Sequence, residues 1–562
     1  MGSKKKQSKS APKLEKKEAS ASFSIFNVIE SYLKTRANKV FYLLLSCSVV
    51  IGLILFDMRI SVGGDDSAYI QRAFSFITKG TFPFEQGPLY PLMLSPFVKI
   101  FGINLFVLKL LSLVFLNLAF VLTYKSLKER IPYTILFLLL GFLALNPFYQ
   151  YFASVTYNEA FFLLIQSIAI YFSLRLLDTS REHPLNFKLD WKIILLVAFT
   201  FLLVSLTKTV AIICILPLFL FFLLNKKWDY LLGILVAFIG FKMIYEMGIQ
   251  ALYLKPEIGQ FRSMFLIDAY KPQLGYEGIE GMLTRFMENA NTYLSTRFFS
   301  ILYLRSFNEN LIAVIPNLTA IVSSLIVIFA FLSYKQNKVV FFISLYVLSL
   351  SGAVFFGIQA KNMQWRLIII IVPYLMLLLL FGFYYLARNI LVLQIFFLSL
   401  FGYIIIASLF NATTKSAKNF SILKENFKGN KYAGFTPDWV NYLKASEWCG
   451  DSLPPGEGII ARKHSMSFIY ANGREFTPIY QVPAFTKDSI ISSDSMVTFV
   501  KQFKCKYVIL AQLRANPAKK DGQIVNTINV IMGRIHDKYP EKFKLLHAEG
   551  NDEMAEVYEM LF

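Results

Sequence analysis

The sequence predicts an α-helical polytopic membrane protein of about 11 transmembrane helices carrying a C-terminal extracytoplasmic α/β domain. Three observations lead there. Only 17% of the 562 residues are charged and 56% are hydrophobic, whereas soluble globular chains carry about 25% charged residues. Eleven runs approach the ~20 apolar residues that cross a bilayer: 39–57, 104–124, 133–152, 157–177, 191–207, 209–225, 229–248, 311–333, 338–357, 365–387 and 390–410. After Phe410 the composition turns polar and stays so to the C-terminus.

The charge pattern orients these runs. Residues 1–39 hold ten Lys/Arg against three Glu, a third of the net +21. Residues 1–22 lack periodicity and are expected to be unstructured. Phe23, Phe26, Ile29 and Leu33 recur at helical spacing, which predicts an amphipathic helix on the membrane surface. Region 1–38 is thus a cytoplasmic basic tail plus that helix. No A-x-A-like cleavage site follows it, so the first run is expected to stay as an anchor. With the N-terminus inside, every short loop returned to the cytoplasm is basic: Lys125, Lys128 and Arg130; Arg175, Arg181 and Lys188; Lys226 and Lys227; Lys335 and Lys338; Arg388. Cationic flanks of this kind account for the positive charge without a nucleic-acid partner.

The long segments 58–103, 249–310 and 411–562 then all fall outside, leaving 39–410 as the transmembrane domain. In 58–103, Tyr69, Ala73, Phe76 and Ile77 follow a helical period. Segment 281–305 reads as a further helix in the second long loop. In 411–562, Trp439 to Cys449 and 525–539 read as helices, and 458–462 and 506–511 as buried strands. Cys449 and Cys505 both lie in that domain, free or paired if the compartment is oxidising.

Five short segments concentrate the candidate chemistry. Gly63-Gly64-Asp65-Asp66-Ser67-Ala68-Tyr69 puts two carboxylates just beyond the first span, and Pro88-Leu89-Tyr90-Pro91-Leu92 opens another helix. Tyr157-Asn158-Glu159 begins the fourth span, Leu206-Thr207-Lys208 ends the fifth, and Gln364-Trp365-Arg366 precedes a long apolar run. In this order and topology they resemble the GT-C superfamily of membrane glycosyltransferases, nearest the branch of protein O-mannosyltransferases and aminoarabinose transferases. Two departures stand out. Many relatives have Lys-Pro-Pro-Leu-Tyr where this chain has Gln86-Gly87-Pro88-Leu89-Tyr90, and Trp365 and Leu367 flank Arg366 where a tyrosine usually follows the arginine.

The resemblance implies an inverting glycosyltransferase that moves a hexosyl or pentosyl unit from a polyprenyl-phosphate-type lipid to an extracytoplasmic acceptor. A protein, a glycolipid and a cell-wall polymer are all open as that acceptor. An acceptor hydroxyl needs a base within hydrogen-bond reach; Asp65 takes that role, with Asp66 as alternative or orienting partner. Tyr69, Tyr90, Glu159, Lys208, Lys361 and Arg366 are the expected donor-binding set, the cations serving the anionic leaving group. No Cys/His spacing suggests zinc, no metal ligand is assigned, and a divalent ion would rest on acidic residues alone. A bacterial inner or plasma membrane is the expected location. The rival reading is a secondary transporter or lipid flippase, but such proteins place charges near mid-bilayer, and here they sit at span ends.

Single cysteines introduced at Ser75 and Asn472 should label from outside the cell membrane, and those at Lys128 and Lys227 only from inside. Cytoplasmic labelling at Asn472 would overturn the span count.

Overall fold

A computed structural model of the chain describes residues 24–61, 64–253, 264–268, 274–307, 314–358, 365–478, 493–516, 524–525 and 527–562. The first half is built from α1 (Ile25–Ile54), α2 (Asp65–Lys79), α3 (Leu89–Phe101), α4 (Leu105–Leu127), α5 (Tyr133–Leu145), α6 (Pro147–Tyr151), α7 (Asn158–Glu182), α8 (Phe187–Thr207), α9 (Leu216–Leu224) and α10 (Trp228–Leu252). It continues with α11 (Ile279–Thr292), α12 (Phe298–Ile301), α13 (Pro316–Gln336), α14 (Lys338–Gly357), α15 (Val372–Ala387) and α16 (Leu391–Phe427).

Among the described residues eight of these helices are long and apolar enough to cross a membrane: α1, α4, α7, α8, α10, α13, α14 and α16. Three further predicted runs hold shorter apolar helices, at 133–145, 209–224 and 372–387. Each is completed by adjacent turns. Asn146 breaks the run at 133–152, and its side chain satisfies the break by accepting from Phe148 N at 2.9 Å and donating to Ile301 O at 2.8 Å. Irregular backbone at membrane depth is tolerated only where such partners exist. Lys208 separates α8 from a 3-10 turn at Thr209–Ile215 that leads into α9.

Two expectations change. The segment from Phe26 to Leu33 is not a separate surface helix but the first turns of α1, unbroken for 30 residues. No proline interrupts it and its first glycine is Gly52. Its apolar face packs on protein: Phe26 stacks on Tyr384 at 4.4 Å and meets Phe397 edge-on. Glu30 accepts from Tyr133 N and Thr134 N at 2.8 and 3.0 Å, capping α5. At the other end, α16 runs past Phe410 to Phe427, so the 410/411 boundary lies inside a helix.

Among the described residues the C-terminal domain comprises α17 (Pro437–Ser452), α18 (His464–Tyr470), α19 (Ser493–Gln502), α20 (Thr527–Lys538) and seven strands. These are β1 (Gly458–Ala461), β2 (Thr477–Pro478), β3 (Cys505–Ala511), β4 (Leu513–Arg514), β5 (Ile524–Val525), β6 (Phe543–Glu549) and β7 (Ala555–Met560). Five form a mixed sheet in the order β2-β1-β3-β7-β6, parallel on the β2-β1-β3 side and antiparallel beyond; β4 and β5 form a separate pair. The α17 and β3 expectations hold within two or three residues. The hairpin β6–β7 was not foreseen, because Lys544, His547 and Glu549 interrupt its apolar pattern. Trp439 anchors α17, fully buried, with Nε1 donating to Arg514 O at 2.9 Å. All four cysteines are free, so Cys449 and Cys505 do not pair.

This domain rests directly on α2. Phe468 of α18 meets Phe74 edge-on at 5.4 Å, a pair worth about 0.5–1.5 kcal/mol beyond its area. Ser67 Oγ donates to Ser465 Oγ at 2.9 Å, and Lys79 bonds Glu475 at 2.5 Å. Beside that contact, burial, with Lys463 and Arg72 adding like charge, pushes His464 down to about 4. The folded protein therefore keeps His464 neutral while the unfolded chain takes up a proton below about 6.5. Stability is fully present above that value and falls as pH drops toward 4. The melting temperature of detergent-solubilised protein should fall more steeply over that interval in wild type than in His464→Gln; parallel profiles would remove His464 from the docking energetics.

Candidate active site

The described residues of the link between α1 and α2 form no helix or strand, and a buried ammonium shapes it. Lys109 of α4 is fully buried. Its Nζ donates to Asp57 O at 2.7 Å, Arg59 O at 2.5 Å and Ser154 O at 3.1 Å. All three protons are thereby used, as a desolvated lysine requires. Arg59 pairs with Asp57 at 2.8 Å and donates to Gly434 O at 2.6 Å, tying the link to the C-terminal domain.

Gly64, at φ +82°, turns the chain into α2 and puts both aspartates in its first turn, where the helix dipole favours negative charge. They then diverge. Asp66 is fully buried and accepts from Ser61 N at 2.8 Å, Ser61 Oγ at 3.0 Å and Ser67 N at 2.8 Å. Burial pushes its carboxyl above the usual aspartate range, against the opposing pull of Lys109 and those donors. Because the Ser61 proton goes to Asp66, Tyr157 must donate to Ser61 Oγ, at 2.5 Å.

Asp65 instead lines a cavity of about 210 Å³, together with Tyr69, Gln86, Glu159, Lys208 and Arg366. Two ion pairs occupy its wall. Arg366, on a 3-10 turn at Trp365–Leu367, bonds Asp65 through Nη2. Lys208 bonds Glu159 Oε1 at 2.9 Å. The Arg366 guanidinium also lies 4.7 Å from the Tyr157 ring centroid, so the Asp66–Ser61–Tyr157 chain ends beneath the cation that holds Asp65. Glu159 is 1% exposed, and its Oε2 has no hydrogen-bond partner among the described residues.

Of the sequence-predicted residues, the structure brings Asp65, Tyr69, Glu159, Lys208 and Arg366 to one cavity. Asp66 and Tyr90 are not on its lining; Tyr90 is buried behind it, edge-on to Tyr69 at 5.1 Å. Gly63 and Lys361 lie outside the described residues. The Gln86-Gly87 departure has a steric reason. Gly87 sits at φ +90°, and a Cβ there would come within 2.2 Å of Thr207 O. Gln86 is held in the wall by Arg72, which donates to its Oε1 at 3.1 Å. Lys109, Arg72, Ser61 and the hydroxyl of Tyr157 were missed. Lys109 was legible in principle, since a lysine inside an apolar run is a functional signal by default. Among the described residues no three His, Cys, Asp or Glu side chains converge as a metal site, and both cavity carboxylates already face cations.

No family profile matches the chain, and no curated protein matches it by sequence. Solved structures do. The archaeal oligosaccharyltransferase AglB from Archaeoglobus fulgidus, in complex with an inhibitory peptide and a dolichol-phosphate, aligns over 85% of this chain and 70% of its own at 12% identity and TM-score 0.52. ArnT from Cupriavidus metallidurans, bound to undecaprenyl phosphate, aligns over 92% and 97% at 12% identity and TM-score 0.49. Its apo structure aligns over 93% and 98% at 11% and 0.48. The chain has the AglB fold.

Removing the buried charges should cost stability while removing Asp65 should not. Lys109→Met leaves three buried carbonyls without their donor, at ~1–3 kcal/mol each, and Asp66→Ala strands the Ser61 and Ser67 amides. Both should lower the melting temperature clearly, whereas Asp65→Asn should stay within about 1 kcal/mol of wild type. Equal melting temperatures for all four proteins would contradict this division of roles.

Proposed function

We propose that the chain is an inverting glycosyltransferase. It moves a sugar from a polyprenyl-phosphate-type donor to an acceptor hydroxyl on the membrane face that bears the C-terminal domain. The observation that carries this reading is the Asp65–Arg366 ion pair on the wall of the cavity. A base and an anion-binding guanidinium there hold each other until an anionic substrate separates them. The AglB fold supports it, since that protein's structure is of a complex with a dolichol-phosphate. At about 210 Å³ the cavity is smaller than the roughly 300–1,000 Å³ that encloses drug-sized ligands. That suits one sugar unit, with the lipid chain left outside.

In the proposed reaction the donor phosphate takes over the Arg366 guanidinium, whose planar fork grips a phosphate at two oxygens. Asp65 is then free to accept the proton of the acceptor hydroxyl. The acceptor oxygen bonds to the anomeric carbon as the bond from that carbon to the phosphate oxygen breaks. The electron pair leaves on the phosphate, whose charge Arg366 and Lys208 offset. A single displacement inverts the anomeric centre. Glu159 Oε2, buried and without a hydrogen-bond partner among the described residues, is placed to accept from a sugar hydroxyl. Asp66, Ser61, Tyr157 and Lys109 position Asp65 and Arg366. Nothing comparable supports the transporter reading, because the charged pairs line a pocket of single-sugar size at one end of the bundle and not a path through it.

Assayed with a panel of polyprenyl-phosphate sugars, Asp65→Asn should lose at least 100-fold in transfer while still binding donor lipid. Arg366→Lys should weaken donor binding and Arg366→Ala weaken it further. Full activity in Asp65→Asn, or unchanged donor binding in Arg366→Ala, would sink the mechanism.

A further inference from the structure

At the opposite ends of the spans, cations from three separate connections converge. Lys125 lies sixteen residues along α4 from Lys109, about 24 Å at 1.5 Å per residue. There the end of α4, the turn after it, the end of α7 and the α13–α14 junction enclose a hollow of about 930 Å³. Lys125, Lys128, Arg130, Arg181 and Lys338 line it, against only Glu129 and Asp178. The positive-inside pattern requires basic loops, but it does not require that they meet around one cavity.

The two carboxylates leave much of this charge unneutralised. Asp178 takes Arg130 at 2.6 Å and reaches Arg181 only at 3.9 Å, and Glu129 stands 3.8 Å from Lys128. Lys125 and Lys338 have no carboxylate within ion-pair distance among the described residues; Lys338 lies over the Tyr334 ring at 4.0 Å. Asn337 donates to Arg130 O at 2.8 Å and fixes the α13–α14 junction against the α4 turn, so the hollow is braced. The helix that leads into the hollow also carries exposed apolar side chains. Gln336 lines the hollow, and Phe331 and Ile328, 73% and 56% exposed, lie one to two turns back along the same helix.

We infer that this hollow binds the phosphate-bearing headgroup of an anionic phospholipid, its acyl chains running down the exposed face of α13. Basic pockets between spans suit such headgroups, each cation near the surface adding to the attraction. The apolar wall below favours a lipid over a free phosphate, which has no use for it. The site is separate from the cavity of Asp65.

The full chain in nanodiscs of phosphatidylcholine doped with phosphatidylglycerol, examined by native mass spectrometry, tests this. Wild type should retain phosphatidylglycerol over phosphatidylcholine by about tenfold, and Lys125→Gln/Lys128→Gln/Lys338→Gln should bring the ratio near parity. Asp178→Asn should raise it, because Arg130 and Arg181 are released; misfolding cannot mimic that gain. An equal ratio in wild type and the triple variant, or no gain in Asp178→Asn, overturns the site. Displacement of the lipid by excess inorganic phosphate overturns the lipid assignment and leaves a free-anion site.

Discussion

Lys109 hands its three protons to the carbonyls of Asp57, Arg59 and Ser154 while fully excluded from solvent. An ammonium taken out of water is costly unless every proton finds a strong acceptor. The lysine and the link between α1 and α2 therefore constrain each other to one arrangement. With the link fixed, Ser61 reaches Asp66, Asp66 anchors the first turn of α2, and Asp65 on that turn is delivered to the cavity. The same serine accepts from Tyr157, whose ring lies against Arg366. Both members of the central ion pair thus depend on one buried cation that is not on the cavity lining.

The two aspartates show how neighbours of one type divide their work. Asp66 is spent on amide and hydroxyl donors and is shut off from solvent, while its neighbour faces a cation across the cavity. The C-terminal domain enforces that division from the other side, since Ser465 and Phe468 press on Ser67 and Phe74 of the same helix. A helix held on two sides keeps its first turn in register, and placing reacting groups to within fractions of an ångström is where much catalytic power arises.

Much of this was legible in the sequence. Apolar run length locates spans because lipid leaves the backbone no alternative partner, and every predicted run contains an apolar helix. The motifs that singled out Asp65, Tyr69, Glu159, Lys208 and Arg366 name residues that line one cavity, because short motifs kept their order along the chain. What could not be read is direction. Asp65 and Asp66 are chemically identical in a sequence, and only the Gly64 turn and the reach of Ser61 decide which one faces the cavity. Lys109 hid inside an apolar run, since its role is to bond carbonyls that carry no sequence signature. The hairpin β6–β7 hid because its polar residues broke the alternation that identifies strands.

The central claim is that a lipid phosphate takes the place of Asp65 on Arg366. A structure of the protein bound to a polyprenyl phosphate tests it directly. The account predicts the Arg366 guanidinium on two phosphate oxygens and the Asp65 carboxylate released into the cavity. An intact Asp65–Arg366 pair, with the phosphate bound elsewhere, would contradict it.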